Sequence, residues 1–108
     1  KSISLIKDAV KHDLIVPYFQ PIYNNATKQI EKYECLARIN TLDNKVLLPY
    51  EFLEVSIKGK LYHHITRAIV RKSFKFFEDK DFEFSINISI NDINNQTTYE
   101  YIVDSLRN

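Results

Sequence analysis

IEKYECLARI, residues Ile30 to Ile39, decides the fold, because its alternation marks a β-strand whose two faces differ in chemistry. Lys32, Glu34, Leu36 and Arg38 fall on one face, and Tyr33, Cys35, Ala37 and Ile39 on the other. One side suits burial against a core. The other carries a carboxylate and a guanidinium two positions apart. Towards the N-terminus, Asn24, Asn25 and Ala26 read as a turn. Before it, Leu14 to Tyr23 forms another strand, with Tyr18, Gln20 and Ile22 on a common face. Pro17 and Pro21 lack the N–H that a central ladder needs, which suits an edge, a bulge or an unusual pairing. Further back, Ile3, Ile6 and Val10, widened by Leu5 and Ala9, stripe a helix predicted over Ser2 to Lys11.

Towards the C-terminus, Pro49 is suited to the first helical position of a short helix over Tyr50 to Ile57, ended by Gly59. A longer helix, Leu61 to Phe77, carries Leu61, Ile65, Ala68, Ile69 and Phe76 on its apolar stripe, with Arg67, Arg71 and Lys75 outward. FEFSINISI, Phe82 to Ile90, is the third strand: Ser85, Asn87 and Ser89 share one face, Phe84, Ile86 and Ile88 the other. Thr97 and Glu100 match a capping box for a last helix with Tyr99, Ile102, Val103 and Leu106 on one face. The crossover between the second and third strands is long enough to make them parallel. The fold class is therefore α/β, an incomplete barrel or open sheet.

Fifteen basic against fourteen acidic residues give a net charge of +1, which supplies no general field for DNA or RNA. One cysteine excludes an internal disulfide and is compatible with a reducing, cytoplasmic setting. No apolar run approaches the roughly 20 residues of a membrane span, so this segment is expected to make no membrane contact. Gly59 is the only glycine, which speaks against Gly-rich phosphate loops.

Gln20, Glu34 with Arg38, and Asn87 lie towards strand ends, where α/β barrels place their chemistry. A carboxylate beside an amide oxygen makes an oxygen-rich shell suited to Mg²⁺ or Mn²⁺. Arg38 could clamp a phosphate through its planar fork. The plainer alternatives are an internal Glu34–Arg38 pair, and Asn87 and Gln20 as polar strand residues bonded to backbone. Cys35 reads as a small buried hydrophobe. His63 and His64 are neighbours that point apart, which disfavours a shared metal, and His12 ends a helix facing solvent.

Four segments together resemble the EAL domain family. VPYFQPIYN looks like that family's first strand. YECLAR resembles its Glu-Ala-Leu signature followed by Arg, with Glu34, Leu36 and Arg38 in matching places and Cys35 where Ala is usual. LLPYEFLEVSIKGKL resembles the Pro-x-x-Phe helix and its exit, and FSINIS the strand that supplies a metal-binding Asn, here Asn87. The resemblance implies a partial, modified TIM barrel, comprising the leading helix and first three strands of a single domain, with the first strand antiparallel to the rest. It further implies hydrolysis of cyclic di-GMP to linear pGpG with two Mg²⁺ or Mn²⁺ ions. Glu34 and Asn87 would be metal ligands; Gln20, Arg38 and Leu36 would bind substrate. The remaining acidic ligands and the catalytic Lys would lie downstream, so this chain alone is expected to be inactive. A catalytically inactive receptor for cyclic di-GMP, or a protein-interaction module, is the alternative. Isolated, with strand edges and one sheet face uncovered, the chain is expected to dimerise or domain-swap.

Overall fold

The computed structural model describes residues 3–107, with the side chains of all but Ile90 and Asn91. The start of the predicted first helix, at Ser2, lies outside the described residues. The elements run α1 (Ile3–Lys11), β1 (Ile15–Asn24), β2 (Gln29–Asn40), β3 (Val46–Leu47), α2 (Pro49–Lys58), α3 (Tyr62–Phe77), β4 (Glu83–Ile86), α4 (Ile90–Ile93) and α5 (Gln96–Arg107).

β2 is the axis of the sheet. β1 pairs with it antiparallel from Ile15↔Ile39 to Asn24↔Gln29, with an irregularity between Ile22 and Tyr23. β4 pairs with it parallel, from Lys32↔Glu83 to Cys35↔Ile86. β3, which the alternation does not reveal, adds two antiparallel pairs, Ile39↔Leu47 and Asn40↔Val46. The expected antiparallel opening and parallel continuation are both present. Pro17 and Pro21 fall on β1, whose only partner strand among the described residues is β2, so a missing N–H is tolerated on its free side.

Helices cover one face of this sheet. Cys35 and Ile39 point into a core with Ile6, Ile15, Phe52, Ile65 and Ile69. Phe77 of α3 stacks on Phe84 at 4.7 Å between centroids and meets Phe19 edge-on at 5.1 Å. Aromatic pairs of this kind add about 0.5–1.5 kcal/mol beyond the area they bury. Phe76 is partly exposed, yet its ring stacks on Phe19 at 4.4 Å. Asp13 pins α3 to the start of β1, accepting from Arg71 and Lys72 at 3.1 Å each, while Lys72 also donates to the Ile15 carbonyl at 2.6 Å.

Of three local expectations, one holds and two are corrected. Gly59 ends α2 as expected, with φ −84°, and the left-handed residue is the next one, Lys60, at φ 60°. Space at Gly59 is tight: a Cβ there would displace the end of the Ile3 side chain of α1 and approach the Val55 carbonyl to 3.1 Å. The third strand stops at Ile86 rather than Ile90. There the Ser89 N–H turns to the Asp92 carboxylate at 3.0 Å, and the backbone enters α4. Finally, Asn95 and not Thr97 caps α5: its Oδ1 accepts from the Thr98 N–H at 2.9 Å, and Glu100 accepts from Gln96 at 2.8 Å. Left-handed backbone also occurs at Asp13 (57°), Lys28 (63°) and Asn44 (66°). Among the described residues no helix is long and apolar enough to cross a membrane.

Candidate functional site

The face of the sheet away from the helices collects the polar residues singled out from the alternation. In register, Glu34 stands between Gln20 on β1 and Ser85 on β4. Asn87 follows two residues after Ser85, just beyond the ladder, and its Nδ2 donates to Glu34 Oε2 at 3.5 Å, the outer limit of a hydrogen bond. Leu36 pairs with Tyr18, and Arg38 with Val16. Glu34, Leu36 and Arg38 are half-buried, while Gln20 and Asn87 are exposed.

Glu34 and Arg38 do not form an ion pair. The Arg38 Nη1 donates to the carbonyl of Ala37 at 2.7 Å, and its guanidinium carbon lies 5.8 Å from the centre of the Tyr18 ring. Contact with a π-face leaves the remaining guanidinium donors available to an anion. Tyr18 had been placed on the Gln20 face by alternation, but its contact with Arg38 depends on the β1–β2 register, which a single strand does not reveal. Arg38 and Asn87 also border a largely apolar cavity of about 150 Å³, walled by Leu36, Leu53, Tyr62 and Thr66.

Among the described residues no group of three or more His, Cys, Asp or Glu side chains could hold a metal ion. Glu34 and Asn87 provide two converging groups, a carboxylate and an amide, whose oxygens suit a hard divalent cation in kind and fill part of its shell. His63 and His64 do not diverge as expected: their rings are 4.2 Å apart. Burial chiefly lowers the pKa of each below the usual 6.5, so both favour the neutral form. Cys35 is 2% exposed, and burial pushes its thiol pKa up, away from nucleophilic behaviour.

An antiparallel opening hairpin, a parallel continuation through two helices, and polar side chains gathered on the open face define an α/β domain of the EAL type. The EAL domain profile matches residues 4–108, and the chain belongs to the EAL domain family. It is 28% identical over 103 residues to the cyclic di-GMP phosphodiesterase PdeB of Shewanella oneidensis, covering 90% of this chain and 12% of that protein. It is also 32% identical over 71 residues to an uncharacterized 76.5 kDa protein of Thiocystis violacea, covering 66% of this chain and 10% of that protein. Among solved structures, an EAL domain protein of Listeria monocytogenes superposes with a TM-score of 0.82 at 22% identity, over 99% of this chain and 44% of that one. The FimX EAL domain of Pseudomonas aeruginosa, bound to c-di-GMP, gives 0.81 at 18%, over 97% and 43%. These likenesses establish the fold. The chain spans less than half of each relative's length.

Proposed function

We propose that these residues form the N-terminal part of one EAL domain that binds cyclic di-GMP and hydrolyses it to linear pGpG in a cytoplasmic setting. The observation that carries the reading is the approach of Asn87 to Glu34 at 3.5 Å, on the sheet face that also holds Arg38 and Gln20. Glu34 and Asn87 would hold Mg²⁺ or Mn²⁺; turning the Asn87 amide over brings its oxygen to where the nitrogen now meets the carboxylate. The bound ion would supply charge neutralisation at a phosphoryl oxygen and a more acidic water. Arg38 orients a phosphate with its free donors, Leu36 offers an apolar contact beside it, and Gln20 reaches the ligand from β1. Other acidic ligands and the catalytic Lys come from the remainder of the domain.

The test is cyclic di-GMP turnover by the full-length protein in Mg²⁺ or Mn²⁺. Linear pGpG is expected, with a loss of about 100-fold or more in Glu34→Ala. Tight binding without turnover would identify a receptor, the second reading. Isolated, the stretch is expected to self-associate through the uncovered face, where Tyr18 and Ile22 are 46% and 44% exposed. A monomeric mass by light scattering at high concentration would contradict this.

A further inference from the structure

Asn87 lies in a part of the chain that regular structure does not hold. The β4 ladder ends one residue before it, and α4 begins three residues after it. Ile88, the next side chain, is 45% exposed. The backbone is gripped at Ser89, whose N–H donates to Asp92 Oδ2 at 3.0 Å and whose hydroxyl lies 3.4 Å from the same oxygen. The Asp92 and Ile93 N–H groups return to the Ser89 carbonyl at 3.1 and 3.3 Å. The Asp92 carboxylate on the Ser89 N–H is one half of a capping box, and the Ser89 hydroxyl donates to the same carboxylate rather than accepting from the helix backbone.

A helix as short as α4 gains little from a cap, and an exposed Asp would serve. Asp92 is instead 0% exposed, with its second oxygen, Oδ1, buried and lacking a hydrogen-bond partner. Burying a carboxylate so incompletely satisfied costs stability. What the burial accomplishes is attachment. α4, which carries the buried Asp92, packs on α3. The Ser89 peptide, and with it the segment from Asn87 onward, is thereby fastened to the longest helix of the chain.

We propose that Asp92 is a positioning residue for the cation site: it fixes the Asn87–Ser89 turn so that Asn87 meets Glu34 across the end of the sheet. The inference rests on the proposed role of Glu34 and Asn87 as metal ligands. Removing the carboxylate frees the Ser89 N–H and lets Asn87 swing away from Glu34, while Arg38 and Gln20, on other strands, are undisturbed.

The experiment measures Mn²⁺ binding to the full-length protein directly, by electron paramagnetic resonance titration, alongside the KM for cyclic di-GMP. Asp92→Ala is expected to weaken Mn²⁺ binding by about tenfold, the scale seen when a group supporting a metal ligand is removed. KM at saturating Mn²⁺ should stay within about twofold. Asp92→Asn, nearly isosteric and retaining an acceptor for the Ser89 N–H, should recover most of the loss and keeps the test decisive if the Ala variant does not fold. Unchanged Mn²⁺ affinity in both variants, with Glu34→Ala abolishing Mn²⁺ binding, overturns the role of Asp92 alone. Unchanged Mn²⁺ affinity in Glu34→Ala overturns the site itself, and the role of Asp92 with it.

Discussion

On the helix side of the sheet, Cys35 and Ile39 of β2 are 2% and 1% exposed, and Phe77 stacks on the neighbouring strand's Phe84. One residue away along the same strand, Glu34 and Arg38 face the open side and do not pair with each other. The same backbone, with the same hydrogen bonds, thus serves packing on one face and leaves charged groups available on the other. The comparison teaches that packing and the proposed ligand site are separated here by side-chain parity. Substitutions on the two faces should therefore fail in different assays.

The largest effect is expected on the packed side. Phe52, fully buried between α2 and the core, should cost about 3–5 kcal/mol as Phe52→Ala, measured by urea unfolding of the full-length protein. A loss under about 1 kcal/mol would mean that the helix layer collapses around the cavity and that the faces are less distinct than described. On the open side, Glu34→Ala should leave the urea midpoint nearly unchanged while removing about 100-fold or more of the activity. A large fall in stability would break the separation, because it would make Glu34 a structural group.

A smaller effect comes from acid. Burial, and the positive charge of Arg67, lower the pKa of His63 below 6.5, with Asp92 pulling the other way; burial, His63 and Arg67 lower that of His64. The unfolded chain binds protons that the folded chain disfavours. This contribution to stability is therefore complete above pH 6.5 and is lost as pH falls below it. Urea midpoints compared at about pH 7.5 and about pH 5.5 should show the decline, and His64→Gln should flatten it. An unaltered slope in that variant would take His64 out of the decline, and only an unaltered slope in the His63→Gln, His64→Gln double variant would assign it to carboxylates instead.

Much of this arrangement was legible in the alternation of residues. The two faces of β2 and the four main helices follow from apolar periodicity, which burial enforces; the parallel pairing follows from the length of the crossover, and the antiparallel opening came from the family resemblance. The end of β4 was not legible, because FSINIS goes on alternating after the ladder has stopped. Ser89 and Asp92 redirect the backbone there, and alternation alone does not register their contact. Thr97 and Glu100 had the right spacing for a cap that Asn95 provides instead. β3 is two residues long and exists only because β2 offers an edge. Glu34 and Arg38 share a face and were read as candidates for pairing. The partner Glu34 takes, Asn87, is 53 residues further on, at a distance that only the tertiary fold sets.

Among the described residues, the left-handed corners at Asp13, Lys28, Asn44 and Lys60 are all built without glycine. Each stores on the order of 1 kcal/mol of backbone strain in the native state. The other side of that arrangement belongs to the denatured chain, which has a side chain at every hinge and so explores fewer backbone states before folding. A glycine at any of these corners would relax the native turn and widen the denatured ensemble together, and the two effects oppose each other. Scarcity of glycine thus moves part of the specification of this fold into the ensemble from which it forms.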